Sequence, residues 1–226
     1  MKIAVLGTGT VGQAIAARLV ELGHTVTLGT RQVEATLART GPEGMGNPSF
    51  AEWSAAHADV GVETYAVASA GAEAVVNATS GAGSLEALST AGAENLAGKV
   101  VIDISNPLDF SQGFPPSLSV KDTDSLGEQI QRAFPDAKVV KTLNTMTAAL
   151  MVHPAQLAEG DHSVFVSGDD DDAKAIVTDL LHSMGHRDVI DLGDITTARG
   201  AEMWLPLWLR VMGALGTPIF NVKIVR

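Results

Sequence analysis

Short runs of apolar, β-branched residues alternate along this chain with longer stretches whose apolar side chains recur every three or four positions. The first run is Lys2-Ile-Ala-Val-Leu6, and glycines follow at once, the pattern of a buried parallel strand. Residues 11–22 then place apolar groups at 11, 15, 19 and 22, one stripe of a helix, and Gly23 closes it. Residues 25–28 read as a second strand, completing a βαβ unit.

The alternation continues. Ser49 and Glu52 form a capping box that opens a short helix after Pro48, and Ser125 and Glu128 form another, whose helix stops before Pro135. Strands are predicted at 63–67, 74–78, 99–104 and 137–142, with a loop at 79–83 and a helix over 84–91. Beyond residue 160 the pattern gives a strand (162–167), a helix (170–184), a strand (186–190) and a long apolar helix from Asp194. Asp169–Asp172 are read as capping carboxylates at a helix start. Strands separated by helix-length crossovers imply a parallel sheet covered on both faces. The expected fold is therefore α/β, a Rossmann-type doubly wound parallel sheet. It spans residues 1–155, with a small α/β C-terminal portion, 156–226, packed on it. The proline-containing loop 105–122 is the long irregular segment, a natural lid or site wall.

Composition narrows the function. The chain has 226 residues, no cysteine, 15 Lys and Arg against 26 Asp and Glu, and a formal net charge of -11. Thiol chemistry, disulfides and Cys-ligated metals are excluded. Nucleic acid and anionic membrane surfaces are poor partners for so acidic a chain. No apolar run has the length and flanks of a secretory signal or a spanning helix, so the protein is expected to be soluble and cytoplasmic.

The chemistry concentrates at strand ends. Gly7-Thr8-Gly9-Thr10-Val11-Gly12 is a G-x-G-x-x-G between a strand and a helix, the context that gives this motif its meaning. Gly7 allows the tight turn, Gly9 lets backbone approach a pyrophosphate, and Gly12 lets helix and strand pack closely. The second strand ends in Gly29-Thr30-Arg31-Gln32. An NAD site usually places a carboxylate here, whereas Arg31 can pair with a 2′-phosphate and Thr30 can offer a hydroxyl. NADP is the expected nucleotide. Two further strand ends, Asn77-Ala78-Thr79-Ser80 and Leu143-Asn144-Thr145-Met146, point to the same crevice, although turn formation alone would also explain their Asn, Ser and Thr.

The six histidines form no recognisable ligand set, so no metal is expected. Lys141 is the one candidate acid or base, set against an ordinary packing role. No catalytic side chain is expected, because no convincing constellation of His, Asp or Lys marks one. From Ile195 to Arg226 the chain carries Arg199, Arg210, Lys223 and Arg226 against Glu202 alone. With Trp204, Leu207 and Trp208, this segment is expected to offer a flat apolar surface and a positive field to an electron acceptor, Leu207 and Trp208 making the contact. Residues 203–209 are apolar all round, which requires burial in the core or against a second copy, and a homodimer is expected.

At this point a resemblance emerges. Lys2–Gly12, Gly29–Gln32, Val139-Val-Lys-Thr-Leu-Asn-Thr-Met146, Ser167-Gly-Asp169, Met212–Gly216 and Phe220-Asn-Val-Lys223 together resemble the NADPH-dependent deazaflavin reductases, the coenzyme F420-dependent NADP oxidoreductases. The resemblance covers nearly the whole chain. It implies hydride transfer between the nicotinamide and a deazaflavin ring, with coenzyme F420 as co-substrate. On that basis residues 7–12 hold the pyrophosphate, Thr30 and Arg31 hold the 2′-phosphate, and Ala78, Asn144, Thr145 and Met146 approach the nicotinamide. Family members often add a second cation after the arginine; here position 35 is Ala and Arg39 is the nearest substitute. The cytosolic domain of the six-transmembrane ferric reductases is similar in the first and the Val139–Met146 segments. An NADPH-dependent flavin or ferric reductase, and a non-catalytic NADP sensor, are therefore the alternatives.

Overall fold

The structure is a computed structural model and describes residues 1–41 and 48–226. In chain order the elements are β1 (Lys2–Leu6), α1 (Thr10–Glu21), β2 (Thr25–Thr30), α2 (Val33–Leu37), α3 (Phe50–Ala56), β3 (Gly61–Thr64), α4 (Tyr65–Ala70) and β4 (Ala74–Asn77). There follow α5 (Ser84–Ala91), α6 (Ala93–Leu96), β5 (Val100–Asp103), the short β6 (Leu108–Asp109) and β7 (Ser117–Leu118), α7 (Leu126–Ala133) and β8 (Lys138–Thr142). The chain ends with α8 (Ala148–Val152), β9 (Ser163–Ser167), α9 (Asp171–Met184), β10 (Asp188–Asp191), α10 (Ala198–Met203) and α11 (Leu205–Leu215).

One sheet runs in the order β10-β9-β8-β5-β4-β1-β2-β3. From β3 to β8 it is parallel and doubly wound about β1, the Rossmann arrangement, in which ligands bind beyond the strands' carboxyl ends. Successive side chains alternate between faces, so Ile3 and Val5 pack with Ile15, Leu19 and Val76 while Ala4 and Leu6 pack with Leu88 and Val101 on the other side. The two strands of the C-terminal portion extend this same sheet, and β9 pairs antiparallel with β8, a departure from the all-parallel expectation.

Two boundaries differ from the sequence reading. The strand expected at 63–67 runs from Gly61 to Thr64, and residues 65–67 already belong to α4. Thr64 turns the chain: its hydroxyl accepts from the Val67 amide at 3.4 Å, capping a helix of small residues whose Tyr65, Ala68 and Ser69 face inward. The long helix from Asp194 is divided into a 3-10 turn at Ile195–Thr197, α10 and α11. Pro206 has no amide to offer the carbonyl of Glu202, so it fits only in the first turn of a new helix. The loop 105–122 contains the two-stranded β6–β7 ribbon.

The last residues run as a strap along β9. The Ser163 amide donates to the Val222 carbonyl at 2.8 Å, and Lys223 and Arg226 both pair with Asp188. Beneath the strap His162 and His186 are buried edge to face, their centroids 6.2 Å apart. Burial pushes the His186 imidazole down to about 4, and the nearby His162 and His182 act in the same direction. The unfolded chain takes up this proton near pH ~6.5, whereas the fold resists it. Stability from neutral His186 is therefore complete above that pH and declines as the pH falls toward about 4. Asp188 and Asp124, held at about 2 by their hydrogen bonds, lose theirs only in stronger acid. Denaturant midpoints between pH 7.5 and 4.5 should show the loss, roughly 3 kcal/mol in all. In His186→Gln most of the slope should vanish; an unaltered slope would assign the titration to another group.

Candidate functional site

The glycine loop lies between β1 and α1. Gly7 has φ +115°, and a Cβ there would stand 2.5 Å from the Ala78 carbonyl oxygen. A Cβ on Gly12 would meet the Gly7 carbonyl oxygen at 2.0 Å. Both glycines are therefore demanded by the chain's own packing. Gly9 differs, because nothing lies within 4 Å of where its Cβ would be. It opens α1 without a side-chain cap, so backbone rather than side chain faces this space, which suits a pyrophosphate. The loop is braced at Thr8, whose carbonyl accepts from Gln13 Nε2 and Arg39 Nη2, both at 2.9 Å. Arg39 also lies over the Phe50 ring, 5.1 Å from its centroid. The substitute second cation thus sits on the glycine loop.

A cleft of ≈ 270 Å³ extends from Gly7, Thr8 and Gly9 past Ala78, Thr79 and Ser80 to Arg31, Tyr65, Glu86 and Thr90. Arg31 is exposed at its end. It makes no ion pair with a carboxylate among the described residues. Burial raises the Tyr65 phenol above its usual range, and the Arg31 charge opposes that rise, so the two face one another. Thr30 is buried and its hydroxyl shares a 2.7 Å hydrogen bond with that of Thr36. The structure therefore leaves the rim of the cleft to Arg31 rather than to both residues.

A second cleft, of ≈ 580 Å³, shares the Ala78-Thr79-Ser80 wall and opens on its other side. Thr10, Val11, Asn106, Leu108, Phe110, Asn144, Met146, Met151, Leu205 and Trp208 line it. Asn106 and Asn144 are locked together: each amide nitrogen donates to the other residue at 3.0 Å, and Asn144 also donates to the Ala201 carbonyl. Thr145 is buried but lies outside the lining, behind its two neighbours. Trp208 lines this cleft, stacked on Phe220 of the strap with centroids 5.2 Å apart. Leu207 does not: it is 51% exposed, and Leu205 faces the cleft instead. Two residues along a helix rotate a side chain by more than half a turn, so the apolar run alone could not choose between them.

The expected positive field is largely cancelled. Arg199 pairs with Glu128, Lys223 with Asp161 and Asp188, and Arg226 with Asp188. Arg210 alone of the four has no ion pair among the described residues.

Lys141 lies wholly inside the protein, below the two clefts rather than in either. Its ammonium meets Asp103 Oδ2 and Glu202 Oε1, each at 2.8 Å, and the Ser105 carbonyl at 2.6 Å. Burial alone would lower its pKa, but the two carboxylates outweigh that and raise it, so Lys141 is held as a cation. Asp103 Oδ1 accepts from Asn77 Nδ2 at 2.8 Å and from the Ser105 hydroxyl at 2.7 Å. Asn77 Oδ1 accepts the Thr79 hydroxyl at 2.7 Å, carrying the network to the shared wall. His182 and His186 stand four residues apart but straddle the helix end at Gly185, and His186 Nε2 is occupied by the Met151 carbonyl at 3.0 Å. Among the described residues no group of three His, Asp or Glu is arranged for a metal.

Several lining residues escaped the sequence reading, Tyr65, Glu86 and Thr90 in the first cleft and Leu205 in the second, while Phe110 was covered only by the general expectation that the loop 105–122 walls a site. They lie off the strand ends, in helices and the β6–β7 ribbon, where no local motif marks them. Asp103 had a signal, a charge closing an apolar strand, as Lys141 did.

The comparisons agree with this geometry. Residues 2–107 match the family described as NADP oxidoreductase, coenzyme F420-dependent. A crystal structure of a candidate F420-dependent NADP reductase from Arthrobacter sp. FB24 is 64% identical, with all of both chains covered and a TM-score of 0.95. The F420-dependent NADP reductase of Methanocaldococcus jannaschii is 30% identical over 115 residues, 50% of this chain and 51% of that protein. The metalloreductase STEAP3 of Rattus norvegicus is 29% identical over 212 residues, 92% of this chain. This chain's match spans 38% of the length of that protein. Among the described residues no helix is long and apolar enough to cross a membrane. A Rossmann sheet with an open glycine loop, matched along its whole length by such a relative, places the chain in the coenzyme F420-dependent family of NADP oxidoreductases.

Proposed function

We propose that the protein moves a hydride between NADP(H), its adenosine and phosphates in the first cleft and its nicotinamide reaching over the shared wall into the second, and the deazaflavin coenzyme F420 in the second. The observation that carries this reading is the wall the clefts share, Ala78-Thr79-Ser80, so that ligands in the two meet along one line. When bound, the nicotinamide would give its hydride to the deazaflavin ring, or take one from it, with the accompanying proton exchanged with solvent. The chain's part is to hold and orient. Residues 7–12 hold the pyrophosphate by backbone, Arg31 the 2′-phosphate, and Asn144 and Met146 the nicotinamide side, with Trp208 and Leu205 against the acceptor. Among the described residues no His, Asp, Glu or Lys lines the second cleft, which suits a hydride transfer whose proton is exchanged with solvent rather than with a side chain.

The 212-residue match to a metalloreductase supports a second reading, in which the acceptor is a flavin or ferric complex. Loss of NADPH absorbance with coenzyme F420, FMN or ferric citrate separates the two, and inertness toward all three would indicate an NADP sensor. The exposed Met203, Leu207 and Leu215 support a homodimer built on this face, acting on diffusible cofactors in the cytoplasm.

Two substitutions test the assignment of the clefts. A hydrogen bond to a charged group is worth ~1.5–3 kcal/mol, or roughly one to two decades in affinity. Arg31→Ala should weaken NADPH by that factor and leave NADH nearly unchanged in fluorescence titrations. Equal weakening of both would move Arg31 to the adenine or pyrophosphate. Trp208→Ala should raise the KM for coenzyme F420 about tenfold while NADPH affinity holds, since the indole supplies stacking surface to the second cleft alone. A normal KM would put the acceptor elsewhere.

A further inference from the structure

Helix α10 is held by an unusual density of polar contacts for so short an element. Glu202, 1% exposed, uses both carboxylate oxygens. Oε2 accepts from the Leu126 amide at 2.8 Å, and Oε1 accepts from the Gly127 amide at 3.0 Å while pairing with Lys141. These are the first two amides of α7, so Glu202 caps that helix from a distant part of the chain. One residue earlier the Ala201 carbonyl takes the Asn144 amide, and Arg199 forks onto Glu128, which accepts the hydroxyl of Ser125, the N-cap of α7. Beyond α10 comes α11, whose Leu205 and Trp208 wall the second cleft.

Lys141 ties both sides of that cleft to one charge. Asp103, Asn77 and Thr79 lead from it to the shared wall, and Glu202 leads from it to the helix that carries the opposite wall. We infer that Glu202 is a positioning residue: clamped on Lys141 and on the start of α7, it sets the distance between the nucleotide side and the α11 side of the second cleft. This inference rests on the reading of that cleft as the acceptor site. Glu202 touches neither cleft, so it acts through where it places Leu205 and Trp208 and, by way of the Ala201 carbonyl, Asn144.

Two substitutions perturb the clamp independently. Glu202→Gln has one acceptor oxygen for three donors and turns an amide toward them, while Lys141 and Asp103 still balance one another. Gly127→Ala keeps every charge but adds a methyl 3.2 Å from Ala198 Cβ and 3.4 Å from Ile195 Cδ1, wedging α10 away from α7. Both should raise the KM for coenzyme F420 about tenfold and leave the NADPH dissociation constant within twofold of the parent. In the ligand-free protein, acrylamide should quench tryptophan fluorescence more strongly, because α10 and α11 carry Trp204 and Trp208 while Trp53 stays in the core. A lowered melting temperature with unchanged KM and quenching would show a purely structural Glu202 and overturn the inference. Equal loss of NADPH and acceptor binding would overturn it as well. Should Glu202→Gln fail to fold, Gly127→Ala decides by the same measurements. Trp208→Ala separates the two levels. If it leaves the KM normal, the acceptor site has been misassigned. If it raises the KM while the clamp variants do not, the site stands and the clamp falls.

Discussion

A lysine ammonium with no water around it must be surrounded by counter-charges, and the demand of Lys141 for such partners organises the carboxyl edge of the sheet. Removing one partner of a buried pair typically costs 3–5 kcal/mol, because the other charge is left uncompensated. Here the partners come from three places: Asp103 from the adjoining strand, Ser105 from the turn beyond it and Glu202 from α10. The cluster holds two carboxylates against one ammonium. The surplus negative charge lies on the first amides of α7, where the helix dipole is positive. Helix, strands and C-terminal segment are therefore not independently placed.

The ligand-facing surface is different in kind. It is made of backbone, small hydroxyls, amides and apolar side chains, and its charges, Arg31 and Glu86, are both exposed and confined to the first cleft. This division follows from what a hydride transfer requires. Two rings must be held in register and water kept out, and a titratable group in the gap would add a solvated charge with no task. The acidic chain keeps most of its charge in pairs and caps. That is why the cationic C-terminal segment, so conspicuous against the net charge of -11, proves to be spent on Glu128, Asp161 and Asp188.

The parts legible in the sequence are those governed by local rules. Strand β1, the glycine turn and α1 obey a period and a motif. Ser49 and Ser125 both cap helices, each serine hydroxyl accepting from the amide three residues on, but only at Ser49 does the glutamate complete the box; Glu128 takes the Ser125 hydroxyl instead. Illegible parts depend on distant partners. Nothing near Lys141 reveals that Glu202 will reach it. Nothing near Leu205 and Leu207 says which faces inward, because that depends on where α10 leaves the chain. Thr30 reads as an open hydroxyl at the strand end, and only the fold shows it buried and bonded to Thr36. The short strand β3 illustrates a closer contest, in which β-branched residues at 62 and 64 favour a strand and a single cap at Thr64 ends it.

The antiparallel strand β9 is what brings the second wall to the site. In a wholly parallel sheet β10 would end at the carboxyl edge, and the helix after it would lead away from the clefts. Because β9 is reversed and β10 follows it, β10 runs away from the carboxyl edge, its last residue Asp191 level with Val166 and Thr142, and the chain dips to Asp169 before it climbs back across β8. Its contacts record the climb: the Ile195 amide on Asp169, the Thr197 hydroxyl on Ser167, level with Lys141, and the Ala201 carbonyl on Asn144, past the end of β8. Helix α11 then arrives at the carboxyl edge, beside the glycine loop at the start of the chain. A short C-terminal portion can thereby close a cleft that a Rossmann sheet alone leaves open, and Glu202 sits at the point of the climb where a single buried charge can hold the whole excursion in place.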